Sequence, residues 1–157
     1  MKKTASARVE LDSLPGHHIR RLHQIAVAIF LQETQSHGLT PVQYAAMQAV
    51  ANSPGIDQRT LASTIGFDTS TIGGVIDRLE ARELVRRSVS SSDRRVRLLT
   101  LSEAGRTLLK ATIPSMLRAQ ERMLEPLPTR ERAEFMRMLR TLVTANNELS
   151  RAPSDVG

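Results

Sequence analysis

Apolar positions recur at two different periods along this chain, and the change of period divides it. Between His17 and Gln35, Ile19, Leu22, Ala26, Ile29 and Phe30 return at helical spacing. At about 1.5 Å per residue this predicts a helix about 30 Å long. His37-Gly38 ends it. Thr40-Pro41-Val42-Gln43 has the residues of a capping box, with Thr at the N-cap, Pro at the first helical position and Gln two further on. The helix it opens carries Tyr44, Met47 and Val50, and Asn52-Ser53-Pro54-Gly55 stops it. Two short helical patterns follow. Asp57 can cap one containing Leu61, Ala62 and Ile65, halted by Gly66. Asp68 or Thr69 can cap the next, whose buried stripe would be Ile72, Val75, Ile76 and Leu79. Two short helices joined by a tight glycine turn form a helix-turn-helix pattern.

From residue 84 the period changes. Leu84–Val89 and Val96–Leu101 are β-rich runs, and the polar stretch from Ser90 to Arg95 joins them into a hairpin with a basic tip. Ser102 can cap a helix beginning at Glu103, in which Pro114 predicts a kink or a break. A last helix is expected from about Thr129 to Leu149, with Phe135, Met138, Leu139, Leu142 and Val143 on one face. The expected fold is mainly α with a small β-hairpin wing. Residues 1–14 read as a flexible arm, 15–52 as N-terminal helices for dimerisation and a ligand pocket, and 53–101 as the winged helix-turn-helix lobe. Residues 102–150 then supply C-terminal dimerisation helices, and 151–157 a flexible tail.

Composition narrows the function classes. A chain of 157 residues has room for one domain with dimerisation arms. With no cysteine, disulfides, thiolate zinc sites and iron–sulfur clusters are excluded. The longest apolar run, Ile25–Leu31, falls well short of the roughly 20 residues of a membrane span. Thr4 to Asp12 contains no apolar signal core, so a cytoplasmic protein without a membrane partner is expected. No phosphate loop, nucleophile elbow or apolar pair of carboxylates can be named, so neither an enzyme nor a bound cofactor is expected. Phe30, Tyr44, Phe67 and Phe135 are the only aromatic residues, too few for a base-stacking platform.

The formal net charge of +6 points to a polyanionic partner. Between Arg82 and Arg97 stand six arginines (82, 86, 87, 94, 95, 97) against Glu83 and Asp93, a net of +4 on and around the hairpin. Arginine suits bidentate phosphate contact and narrow minor grooves. The second short helix opens on Thr69, Ser70 and Thr71, small donors able to approach phosphates or base edges. Gly73 and Gly74 follow, each costing about 1 kcal/mol relative to alanine inside a helix. Close approach of the backbone to DNA, or of one helix to another, would account for that cost.

In its order of motifs, Asp57 to Leu109 resembles the MarR (multiple antibiotic resistance regulator) family. The carrying residues are Ser70-Thr71, Asp77-Arg78-Leu79-Glu80, Leu84-Val85, Asp93-Arg94-Arg95 and Leu101-Ser102-Glu103-Ala104-Gly105. The segment Gly38-Leu39-Thr40-Pro41-Val42-Gln43-Tyr44 and the long terminal helices extend the likeness over nearly the whole chain. The resemblance implies a homodimer that presents one winged helix to each half of a palindromic double-stranded operator, usually to repress transcription. Carried over by position, Arg95 would enter the minor groove with Asp93 orienting it. Ser70 and Thr71 would meet the major groove, and Arg59 and Arg78 the phosphates. Thr69, Gly73, Gly74, Arg94 and Arg97 complete the DNA-facing set. Gly73-Gly74 departs from relatives that carry a larger polar side chain there, which shifts weight toward shape reading and the wing.

The first helix adds a second kind of chemistry. Gly16-His17-His18-Ile19-Arg20-Arg21-Leu22-His23 resembles regulators of aromatic-acid and nicotinate breakdown. His17, His18, Arg21 and His23, with Tyr44 as the one phenol, are candidates for binding a small aromatic carboxylate. Surface and core histidines would give the same pattern without a ligand. Two other readings stand beside this one. Glu33 and His37, one helical turn apart and with His17 and His18 nearby in sequence, could make a metal-responsive regulator. A winged helix used only for protein interaction is the other, and it would not need arginine at the wing tip.

Overall fold

The computed structural model describes residues 8–150, which form six α-helices and a three-stranded antiparallel sheet. In chain order these are α1 (Pro15–Thr34), α2 (Pro41–Asn52), β1 (Ile56–Asp57), α3 (Gln58–Ile65) and α4 (Thr69–Ala81). Then come β2 (Val85–Val89), β3 (Arg97–Leu101), α5 (Glu103–Leu124) and α6 (Thr129–Ala145). Half of the arm expected over 1–14 lies outside the described residues; the part within them holds a 3-10 turn at Leu11–Ser13. The tail expected over 151–157 lies outside them entirely.

Local chemistry sets the helix ends. Thr40 and Gln43 make the capping box reciprocally, Gln43 N–H donating to Thr40 Oγ1 at 3.2 Å and Thr40 N–H to Gln43 Oε1 at 3.1 Å. Asp57 caps α3 and Asp68 caps α4, which decides between the two residues the sequence offered. Gly66 closes α3 at φ +75°, a left-handed conformation that glycine adopts at no steric cost. The lobe buries Met47, Val50, Leu61, Ile72, Ile76, Leu79, Val85 and Leu99 almost completely, joining α2, α3, α4 and the sheet in one core.

The sheet order is β1-β3-β2, with Ile56 opposite Leu99 and Val85 opposite Leu101. β1 is absent from the sequence reading. Two residues cannot express a period, and the strand exists because Asn52-Ser53-Pro54-Gly55 turns the chain against β3, Gly55 N–H donating to Leu99 O at 2.8 Å. Of the kink or break expected at Pro114 the break is absent, and α5 runs continuously from Glu103 to Leu124. An interior proline costs about 3 kcal/mol, and packing holds the helix across it: Leu109, Thr112, Ser115 and Ala119 are buried on both sides of Pro114. At the C-terminus α6 ends at Ala145, and a 3-10 turn at Asn147–Ser150 replaces the last helical turn expected to Leu149.

Outside the lobe, α1 packs along α5. Glu33 of α1 lies between Arg122 Nη1 at 2.9 Å and Arg118 Nε at 3.4 Å, and the hydrogen bond from Arg122 above all holds its carboxyl below the usual range. α6 buries none of its residues. Its Met138, Leu142 and Val143 are exposed, as are Ile19, Leu22 and Ile25 of α1. The two helices face each other across an apolar groove of about 640 Å³.

The join between lobe and helical arm is made by closely packed backbone. Leu84 O accepts Ser102 N–H at 3.0 Å, the Ser102 hydroxyl donates to Glu83 O at 2.6 Å, and Ser102 Oγ accepts Gly105 N–H at 2.9 Å. Glu83 takes φ +59° to bring its carbonyl there. The first turn of α5 then lies so close to the backbone of Leu84 that a Cβ on Gly105 would overlap Leu84 O. Replacing Gly105 by Ala is expected to destabilise the fold by about 3 kcal/mol, because backbone rather than a side-chain tip must move. Thermal unfolding of Gly105→Ala beside wild type checks this, and an unchanged Tm would show that the junction can relax.

Candidate nucleic-acid interface

The first turn of α4 presents Thr69, Ser70 and Thr71 to solvent. Asp68 accepts Thr71 N–H at 2.7 Å, and the Thr71 hydroxyl donates to the other Asp68 oxygen at 2.9 Å. Other amide donors of this turn point outward at the positive end of the helix dipole, a setting that favours an anion. Gly73 and Gly74 differ in their surroundings. A Cβ on Gly73 would sit 3.4 Å from Gln58 Nε2 of α3, ordinary contact, whereas one on Gly74 would meet nothing within 4 Å. Helix packing within the chain therefore does not explain Gly74.

The wing is a two-stranded ribbon with a structured tip. Ser90 N–H donates to Val96 O, and Val96 N–H to Asp93 O, both at 3.0 Å. Asp93 Oδ1 accepts the Arg95 backbone N–H at 3.0 Å and lies 3.9 Å from Arg95 Nε, so one carboxylate shapes the turn and faces the guanidinium. The Arg95 side chain is 95% exposed. Arg97 Nη1 donates to Arg94 O at 2.7 Å and braces the same turn. Arg86 and Arg94 are exposed, as are Arg59 on the first turn of α3 and Arg78 on the last turn of α4.

Of the six arginines between 82 and 97, three donate within the chain: Arg97 to Arg94 O at the wing tip, and Arg82 and Arg87 to groups farther off in the sequence. Arg82 follows α4 and donates to Gly38 O at 2.8 Å, while Arg87 Nη1 lies 2.8 Å from Asp77 Oδ1. Sequence alone could not assign these partners: Gly38 is 44 positions away, and Asp77 reaches Arg87 only through the fold. The one available hint was the acidic pair Asp77 and Glu80 on a helix whose other end carries the small hydroxyl donors Thr69, Ser70 and Thr71.

The five residues considered for a carboxylate ligand fall into separate places. His18 and Arg21 line the α1–α6 groove beside Ile19, Leu22 and Ile25. His18 Nε2 is also 2.7 Å from Asp12 O, a contact that ties the N-terminal turn to α1. Tyr44 sits at the far end of α1, its ring centroid 5.9 Å from that of Phe30 and its hydroxyl donating to Gln48 Oε1 at 2.9 Å. Burial raises its pKa. Half-buried His17 is held below the ordinary imidazole value by desolvation, then by nearby Arg20, His18 and Arg21. His23 is exposed and does not line the groove. Glu33, half of the metal alternative, is held by Arg118 and Arg122 instead. Among the described residues no three His, Asp or Glu side chains converge.

Comparison with known proteins places this arrangement. A sequence model of the MarR family matches residues 39–96. The chain is 32% identical over 152 residues to the HTH-type transcriptional repressor NicR of Pseudomonas putida, covering 92% of this chain and 96% of that one. BpsR of Bordetella bronchiseptica, whose DNA binding is regulated by 6-hydroxynicotinic acid, aligns with a TM-score of 0.81 at 30% identity, over 86% of this chain and 96% of its own. The transcriptional repressor CouR of Rhodococcus jostii, solved on a 23-mer DNA duplex, aligns with a TM-score of 0.80 at 28% identity, over 87% and 99%. With a helix-turn-helix, an arginine-tipped wing and terminal helices left uncovered, the chain belongs to the MarR family of DNA-binding transcriptional regulators.

Proposed function

We propose that this protein is a homodimeric repressor that holds a palindromic operator through two winged helices and releases it on binding a small aromatic carboxylate. The observation that carries the DNA half is the contrast along the wing: Arg95 stands 95% exposed at a tip shaped by Asp93, while the base of the hairpin is buried in the core. A guanidinium so placed has no role in the fold and fits a narrow, strongly negative minor groove. Ser70 and Thr71, at the amide-rich start of α4, are assigned to the major groove, and Arg59 and Arg78 to phosphates on either side. Gly74 lets the α4 backbone approach DNA where a side chain would hold it away.

The dimer follows from uncovered apolar surface. Ile19, Leu22, Ile25, Met138, Leu142 and Val143 are exposed on one chain, and a second copy laying its own terminal helices there covers them. The support for an aromatic acid is chemical. With the partner's helices over most of that face, the part of the α1–α6 groove lined by Arg21 and His18 is assigned as a slot at the dimer seam, with apolar walls for a ring and a forked donor for its carboxylate. The regulation of BpsR by 6-hydroxynicotinic acid is the parallel among relatives.

Replacing Arg95 by Ala is expected to weaken operator binding by roughly 1–3 kcal/mol with Tm nearly unchanged. Fluorescence anisotropy on a duplex recovered by selection from a random pool checks it. Wild-type affinity in Arg95→Ala would remove the tip from the interface, and affinity insensitive to salt would favour the protein-interaction reading.

Arg21→Ala should leave DNA binding intact and raise the 6-hydroxynicotinic acid concentration needed for release. Losing a charge-assisted pair costs about 1.5–3 kcal/mol, roughly tenfold to a hundredfold in ligand affinity. The inducer acts only through its different affinities for two dimer geometries, so weaker binding moves the release curve by the same factor. Superimposable curves for the two proteins would take Arg21 out of the pocket.

A further inference from the structure

Arg87 has the wrong surroundings for a phosphate ligand. It is the third residue of β2, on the wing, yet only 19% of its side chain is exposed. Nη1 lies 2.8 Å from Asp77 Oδ1 and 3.8 Å from Glu80 Oε1, and Nη2 is 3.5 Å from Gly73 O. All three partners belong to α4. The Nε–H is buried with no partner among the described residues, so the contacts to α4 decide where the guanidinium sits. Beyond Arg87 no described hydrogen bond or ion pair ties β2 to α4, and Val89, two residues on, is 52% exposed.

Asp77 adds a second constraint. At 100° per residue it lies opposite the buried stripe of Ile72, Val75, Ile76 and Leu79, on the side shared by Ser70 and Gly74. A carboxylate there faces a polyanion and is repelled by it unless a cation compensates. Arg87 supplies that cation from the neighbouring element, and its fork reaches two acidic side chains at once.

We propose that Arg87 is a positioning residue that clamps the wing to the middle of the recognition helix. It fixes how far and at what angle the Arg95 tip stands from Ser70 and Thr71, and it neutralises the acidic side of α4. The inference rests on the DNA-binding reading above. Two reading elements held at a fixed separation engage adjacent grooves of one sequence together. Once the clamp is cut, each still meets phosphate, but the geometric match to the operator is lost. Specific affinity then falls while non-specific affinity persists.

The test uses the full-length protein, the duplex that wild type selects from a random pool, and an unrelated duplex of equal length, at several salt concentrations. The readout is the ratio of the two affinities, with thermal unfolding alongside. Arg87→Gln should lower the ratio by about tenfold, and Asp77→Asn should lower it too, because it cuts the same contact from the other side. The double variant should be no worse than Arg87→Gln alone, the non-additivity expected of partners. Arg87→Lys, which keeps the charge but not the fork, should give an intermediate ratio.

Equal loss on both duplexes, with a log–log salt slope shallower by about 0.9, would make Arg87 a phosphate contact and overturn the clamp. An unchanged ratio in Asp77→Asn would overturn it as well. So would an Arg87→Lys protein that does not fold, since the residue would then be holding the fold rather than aiming the wing. If wild type selects no duplex at all, the DNA-binding reading itself falls, which is distinct from a wild type that binds selectively and variants that keep its ratio.

Discussion

The junction at Leu84 is the constraint on which the rest of the molecule depends. There the carbonyl ends of Glu83 and Leu84, the Ser102 hydroxyl and the bare backbone of Gly105 lock the start of α5 against the base of the wing. Since α5 also packs along α1, with Arg118 and Arg122 on Glu33, it joins the lobe to the helical arm alongside the direct connection from α1 to α2. A change in how two copies pack their arms is then a change in where the two wings stand. That mechanical link is what a ligand-released repressor requires, because an inducer bound among the helical arms touches no DNA.

The arginines divide between two tasks that composition cannot separate. Arg86, Arg94 and Arg95 are exposed on the wing, while Arg82 is engaged by Gly38 O and Arg87 by α4. In the region counted as a basic hairpin, part of the positive charge therefore organises the interface rather than meeting DNA. Exposed guanidiniums contribute long-range attraction that salt screens, whereas the half-buried one contributes geometry, which salt affects much less. Affinity and specificity are thus carried by different members of one residue type.

Much of the fold was legible because it rests on local rules. The helical periods of α1 to α5, the capping box at Thr40, the aspartate caps of α3 and α4 and the β-rich runs of the wing are all written within a few residues of where they act. What was missed depends on distant partners. β1 is a strand because of β3, Pro114 is tolerated because buried neighbours on both sides keep α5 helical across it, and Arg87 turns inward because Asp77 waits there. The ligand candidates divide for a related reason. His17, His18, Arg21 and His23 are close in sequence, but a helix turning 100° per residue spreads them over several faces, leaving only His18 and Arg21 in the groove.

The central claim is that two copies of one rigid winged lobe read DNA together. Hydroxyl-radical footprinting of the protein on a selected duplex tests it most directly, since cleavage reports the sugars each wing and helix covers. The account predicts two equivalent protected patches related by a two-fold axis, each pairing a major-groove block with protection in the flanking minor groove. A single asymmetric patch, or protection without the flanking minor-groove component, would contradict it.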